Sequence, residues 1–237
     1  LGCCNPISSI VELAKKFGTL IMIDACQSLA HQSIDVQELD IDFLAGSSHK
    51  LCGPTGIGFL WSRREILERM PPFLGGGEMI EEVFLDRSKW AELPHKFEAG
   101  TPAIGEAIGL GTALNYLEDI GIKNISNWES EVTGYLFEGL KRINEVKILG
   151  PSPDIQPSRG ALATFSVDGI HANDIAELLD SNGICIRSGH HCCQPLHRHY
   201  KLNASARASI SFTTTIEEID IFLKELKSII IFLKKNS

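Results

Sequence analysis

Long apolar runs are missing from this 237-residue sequence. None reaches the ~18 residues that a membrane span requires, and Ile229–Leu233 is short and flanked by lysines. A basic excess is missing as well: the formal net charge is −8, which argues against a nucleic-acid partner. Internal repeats and low-complexity tracts are absent, and 43% hydrophobic with 22% charged residues is an ordinary globular composition rather than a disordered one. An even cysteine count is lacking too. There are seven, with the vicinal pairs Cys3-Cys4 and Cys192-Cys193. Adjacent cysteines are poor staples, so they point to a reducing compartment with thiols kept for chemistry or burial. Signal and transit patterns and an initiator Met are absent, and Leu1 leads within a few residues into a helix-like segment. The sequence is therefore expected to be the later part of something longer.

What is present reads as α/β. Asn5 to Phe17 has helical patterning with Pro6 in its first turn. Leu20–Asp24 is a short apolar run, expected to be a parallel strand covered on both faces. Asp42–Ala45 and Gly56–Trp61 read as two more strands, and Arg63–Met70 as a helix stopped by Pro71-Pro72. Gly75-Gly76-Gly77 opens a long irregular stretch to about Pro102, a length usually reserved for function or an interface. A helix from about Ala103 to Ile120 ends at Gly121. Beyond it the pattern becomes α+β: a helix to about Asn144, strands at Val146–Leu149, Gly160–Val167, Ile184–Arg187 and Arg207–Phe212, a helix at Ala172–Ser181, and a final helix from Thr215, where Thr215 and Glu218 have capping-box spacing. The expected domains are 1–120 and 121–237.

The chemistry-bearing residues gather in two segments. Lys50 follows Ser47-Ser48-His49, and Asp24 closes the strand Leu20–Asp24 with Gln27 three residues on. A site for pyridoxal 5'-phosphate (PLP) needs a lysine for the Schiff base and an acid that keeps the pyridine nitrogen protonated. It also needs donors for the phosphate and an anchor for the substrate carboxylate. Lys50 and Asp24 suit the first two roles, Ser47 and His49 the phosphate, and Gln27 the phenolic oxygen. The second segment is Arg187-Ser188-Gly189-His190-His191-Cys192-Cys193-Gln194-Pro195, within which and just beyond which four of the eight histidines fall. Cys192 and Cys193 among imidazoles read as a nucleophilic thiol, as a zinc site, or as a polar turn. The spacing matches neither C-x-x-C nor H-x-x-x-H. Arg187 and Arg207 flank the cluster, and a guanidinium at either position can bind a carboxylate in bidentate fashion.

Five segments together carry a resemblance: Ile23-Asp24-Ala25-Cys26-Gln27; Ser47-Ser48-His49-Lys50-Leu51-Cys52-Gly53-Pro54-Thr55-Gly56; Pro72-Phe73-Leu74-Gly75-Gly76-Gly77-Glu78-Met79-Ile80; Phe97-Glu98-Ala99-Gly100-Thr101-Pro102; and Arg187-Ser188-Gly189-His190-His191-Cys192. In this order they resemble the SufS-type cysteine desulfurases, class V aminotransferase-like enzymes of the fold-type I PLP class, and are most similar to the cyanobacterial and plastid branch. The resemblance implies a fold-type I large domain, incomplete at its N-terminus, and a smaller C-terminal α+β domain. It implies Lys50 as the Schiff-base lysine, Asp24 at the pyridinium, Gln27 at the phenolate, Ser47 and His49 at the phosphate, and Thr101 at the phosphate of a partner subunit's cofactor. Arg207 and Arg187 would hold the carboxylate of L-cysteine, and Cys192 would accept its sulfur as a persulfide. No metal is implied.

The implied partners are a second copy of the chain and a SufE-like sulfur acceptor, in a bacterial cytoplasm or a plastid stroma, with iron–sulfur cluster assembly as the purpose. The same scaffold also suits a selenocysteine lyase, and a truncated chain suits a non-catalytic PLP-fold or metal-binding module. Two departures stand out. Position 193 is Cys where the family more usually has Ala. The family's ring-stacking histidine lies upstream of the aspartate, and none of the 23 residues before Asp24 is His.

Overall fold

A computed structural model describes residues 1–152 and 159–236. They form two compact units, one of Ile7–Lys123 and the other of Leu1–Pro6 with Asn124–Ser237.

The first unit opens with α1 (Ile7–Lys16), whose last turn carries Lys15 and Lys16, where positive charge suits the helix dipole. A three-stranded sheet follows, of β1 (Met22–Asp24), β2 (Phe43–Ser47) and β3 (Gly58–Ser62) in that spatial order. β1 runs parallel to β2 with Asp24 opposite Ala45, and β3 runs antiparallel to β2 with Gly58 opposite Ser47. Val11 packs with Ala25, Ile41 and Leu44, and Ile21 and Ile23 lean on the same core.

Among the described residues only one face of this strand is covered. Alternation sends Leu20, Met22 and Asp24 to the other face, and Leu20 and Met22 are more than half exposed there. The unit continues through α2 (Arg64–Arg69), β4 (Ile80–Val83), β5 (Ser88–Trp90) and α3 (Ile104–Ile120). β4 and β5 form an antiparallel hairpin inside the stretch that read as irregular. Three glycines and the prolines around it mask its brief alternation. Lys96, 9% exposed, donates to the carbonyls of Leu67 and Glu68 at 3.1 and 3.0 Å. It thereby caps α2 and fixes the loop that carries Phe97–Pro102.

The second unit contains α4 (Ile122–Lys141), β6 (Val146–Leu149), β7 (Leu162–Val167), α5 (Ala172–Asp180), β8 (Arg187–Gly189), α6 (Gln194–Tyr200), β9 (Ser205–Ser209) and α7 (Ile216–Asn236). Its sheet has the order β6-β7-β9-β8, with every pairing antiparallel. Ala163, Phe165, Val167, Ala206 and Ala208 bury one face against Val132 and Leu136 of α4, Ile175 and Leu179 of α5, and Phe222 and Leu226 of α7. Thr215 and Glu218 form a reciprocal capping box: the Thr215 amide donates to Glu218 Oε2 at 2.9 Å, and the Glu218 amide to Thr215 Oγ1 at 3.2 Å.

Two strands are displaced from their expected positions. Ile184 closes the end of α5 by donating to the Leu179 carbonyl, so pairing begins only at Arg187. β9 ends at Ser209 because Ser211, Thr213 and Thr214 form a side-chain-bonded turn, which the alternation of Arg207–Phe212 conceals. The short helix α6 was not anticipated, since its run of His and Arg carries no apolar stripe.

Candidate active site

Asp24 ends β1 on the open face, and the chain turns there. The Ala25 amide donates to Ala45 at 3.0 Å and the Cys26 amide to Asp24 Oδ1 at 3.0 Å. These bonds leave the carboxylate exposed but fixed. The Cys26 side chain and amide, and then the Lys50 charge, hold the Asp24 carboxyl below its usual range, while the thiol itself lies 3.9 Å from the Ala45 carbonyl. Asp24 in turn raises the Cys26 thiol, with desolvation the next cause. Asp24 and Lys50 are thus brought into one another's field, as the segment pattern suggested. Gln27 lies exposed in the following turn. Cys26 was overlooked as a member of this group; its adjacency to the aspartate was the available signal.

Lys50 is set by a single turn of 3₁₀ helix, Ser48–Lys50, at the end of β2. Ser48 is fully buried and pinned, its amide bonded to Ile57 at 3.1 Å and its carbonyl accepting from Leu51 and Gly53 at 2.8 and 3.0 Å. A Cβ on Gly53 would stand 2.3 Å from Ser48 Oγ and 3.1 Å from the Ser48 carbonyl oxygen, so a side chain there would force Ser48 to shift. Ser47 Oγ and His49 Nδ1 lie 3.0 Å apart, which brings the two expected phosphate ligands together while Lys50 remains half-buried. In the same unit the Gly100 amide bonds Gly77 at 2.9 Å and Gly76 packs against Ala99. The Gly75–Gly77 and Phe97–Pro102 segments are therefore joined, with Thr101 exposed just beyond.

The remaining candidates belong to the second unit. Leu149, Thr164, Arg207 and Arg187 form one cross-strand row over β6, β7, β9 and β8. By alternation this row lies on the face away from the helices that cover Ala163, Phe165 and Ala206. Thr164 was not anticipated, because a lone Thr in a strand carries no signal. Burial first, then Arg187, lowers the Arg207 guanidinium from its ordinary value.

β8 leads into a loop in which His191 and Cys192 have φ of 49° and 59°. These left-handed residues present Cys192 to solvent, with its Sγ 3.9 Å from Arg187 Nη2. The Ser205 carbonyl can only accept, so His191 Nε2, 3.1 Å away, carries the proton and Nδ1 is bare. Burial is the main cause holding His191 below its ordinary value, with Arg207 and Arg187 adding to it. His197 is 5% exposed and uses both nitrogens, on the Cys193 carbonyl at 3.1 Å and on Ser205 Oγ at 2.9 Å. Both His197 nitrogens are engaged, so that ring has none left for a metal, whereas His191 Nδ1 is not engaged. Among the described residues no group of three or more His, Cys, Asp or Glu could hold a metal ion.

The chain is 56% identical over 232 residues to a protein of Synechocystis sp. named "Probable cysteine desulfurase", covering 98% of this chain and 55% of that protein. Its structure superposes on the apo cysteine desulfurase of Thermococcus onnurineus with a TM-score of 0.91 at 38% identity, covering 96% of this chain and 56% of that one. It matches the cysteine desulfurase CsdA of Escherichia coli with a TM-score of 0.89 at 35% identity, covering 98% and 56% respectively. The chain therefore spans about half the length of the curated relatives it matches, and its fold is that of the fold-type I enzymes among them. The aminotransferase class-V family model matches residues 1–222, and the chain belongs to that family.

Proposed function

We propose that this chain is part of a PLP-dependent cysteine desulfurase of the SufS type, which converts L-cysteine to L-alanine and delivers sulfur for iron–sulfur cluster assembly. The observation that carries the reading is Asp24 at the end of β1, fixed by the Cys26 amide at 3.0 Å, on the strand beside the one that leads into Lys50. The residues fit the cofactor: a fixed anion, a half-buried amine, a hydroxyl–imidazole pair and a tight turn in which Gly53 lies against Ser48. Bound PLP would supply an electron sink that acidifies the substrate Cα–H and weakens the C–S bond.

Each residue then has a task. Asp24 would keep the cofactor's ring nitrogen protonated, Gln27 would contact its phenolic oxygen, and Ser47 and His49 would hold its phosphate. The Lys50 amine would hold the cofactor and would be the base that takes and returns the substrate Cα proton. Arg207 and Arg187 bind the substrate carboxylate. Two like charges opposite one another repel, and an arriving carboxylate offsets that repulsion. The Cys192 thiolate attacks the substrate sulfur; an S–S bond forms as the C–S bond breaks, the electron pair goes to carbon, and protonation gives alanine. A SufE-like protein removes the sulfur.

A second copy of the chain is the proposed partner, with Thr101 serving its cofactor. The bare apolar residues Phe73, Leu74, Val83 and Leu85, each more than 60% exposed, support an interface on the first unit. The bacterial cytoplasm or plastid stroma suits seven cysteines with no disulfide among the described residues. The test is direct: load the chain with PLP, confirm the visible cofactor band, then add L-cysteine and a reductant. Equal amounts of sulfide and alanine are expected. A bound cofactor with neither product contradicts the reading.

A further inference from the structure

The second unit contains a cavity of about 120 Å³ that neither Cys192 nor Arg187 lines. Leu149 and Leu162 give it apolar walls, and Thr164, His191, Cys193 and Arg207 give it polar ones. Three of its polar atoms, Thr164 Oγ1, His191 Nδ1 and Arg207 Nε, are buried and have no hydrogen-bond partner. Thr164 is only 3% exposed. Buried polar atoms are almost always paired, so three orphans around one hollow define a place for a guest. Arg207 Nε–H and the Thr164 hydroxyl donate. His191 Nδ1 only accepts, because the proton of that ring is committed to the Ser205 carbonyl. The guest must therefore accept from two donors and return one proton, and its bulk must tolerate leucine. The –S–SH end of a persulfide meets all three demands.

Cys193 lines this cavity, half-buried, with its thiol donating to the His190 carbonyl at 3.2 Å. The Arg207 guanidinium lies within its electrostatic reach. One terminal sulfur needs space comparable to one water, roughly 30 Å³, and the cavity supplies it. A disulfide to the adjacent Cys192 would close a strained ring, whereas a persulfide on Cys193 has the cavity beside it.

We propose that Cys193 is a second station for sulfane sulfur, holding it as a persulfide whose terminal sulfur sits between Thr164, Arg207 and His191. The desulfurase reading explains where the sulfur originates, but the site stands on its own geometry. In the loading step the Cys193 thiolate, its proton given to solvent, attacks the outer sulfur of a persulfide donor R–S–SH. An S–S bond forms to Cys193, the donor's S–S bond breaks, and R–S⁻ leaves and is protonated. No net oxidation occurs.

The test uses the full chain carrying Cys192→Ser, without PLP, treated with inorganic polysulfide, alkylated and mapped by peptide mass spectrometry. Cys193 is expected to gain one sulfur atom at higher occupancy than the exposed Cys52 and Cys185. Adding Thr164→Val is expected to speed the loss of that sulfur to added thiol about five- to tenfold, the effect of one lost hydrogen bond, with Cys52 unchanged. Thr164→Ala removes the same hydroxyl without adding bulk and serves where valine prevents folding. Sulfur on Cys193 no greater than on Cys52 and Cys185 would overturn the proposal, as would an unchanged loss rate without the hydroxyl. Neither PLP nor L-cysteine enters this experiment, so its failure leaves the desulfurase reading intact, and the failure of that reading leaves this result standing.

Discussion

Arg187 and Arg207 stand directly opposite one another on β8 and β9, two like charges in one cross-strand pair. Sheets avoid such pairs because nothing offsets the repulsion. Here the pair depresses the Arg207 guanidinium further than burial alone would. An arrangement that weakens the sheet and concentrates positive charge beside an exposed thiol makes sense when an anion occupies it. Arg187→Met should therefore separate stability from function. The thermal midpoint is expected to rise, by an amount equivalent to about 0.5 kcal/mol. KM for L-cysteine is expected to rise about tenfold, the loss of one charged hydrogen bond. A calorimetric scan with steady-state kinetics checks both, and an unchanged KM would remove Arg187 from carboxylate binding.

Gly53 is a second point of leverage. A methyl group there would stand 2.3 Å from Ser48 Oγ, and Ser48 is fully buried. Gly53→Ala is expected to cost about 1–3 kcal/mol through overpacking and to weaken PLP binding by displacing Lys50. Ser48→Gly in the same chain should recover most of the cofactor affinity, measured by titration of the visible band. No recovery would show that the turn is not what positions Lys50.

His191 supplies a pH dependence. Burial holds its folded pKa below the ordinary 6.5, so the folded state resists taking up a proton that the unfolded chain accepts. Stability is fully present above the unfolded value and is lost as the pH falls from there through the folded value. Denaturant melts between pH 8 and pH 5 should show this decline. His191→Asn should flatten it, even with lower stability at pH 8. An identical slope in the variant would place the titration elsewhere.

Cys192 and its neighbour respond differently if the roles are right. Cys192→Ser is expected to retain the cofactor band and lose sulfide release by at least about a hundredfold, because no nucleophile of comparable strength remains at that loop position. Full turnover with Cys193 intact would move the nucleophile to Cys193.

Much of this site is visible in the sequence, for identifiable reasons. Asp24, Lys50, Ser47 and His49 are legible because a strand end and a tight turn fix their spacing, and local spacing survives into structure. The Thr215–Glu218 cap is legible for the same reason. The Leu149–Thr164–Arg207–Arg187 row is not, because its four members come from four strands whose register depends on pairing rather than on neighbours in the chain. Thr164 gains meaning only once Arg207 is opposite it. The hairpin at Ile80–Trp90 and the helix at Gln194–Tyr200 were obscured in a similar way, by glycines and prolines in one case and by polar side chains in the other.

The most direct test of the account asks which residue holds the cofactor. The chain is loaded with PLP, reduced with borohydride to make the attachment permanent, digested, and mapped by mass spectrometry. The account predicts a single pyridoxyl modification on Lys50. Modification of a different lysine under the same conditions, or none at all despite a saturated visible band, would contradict it.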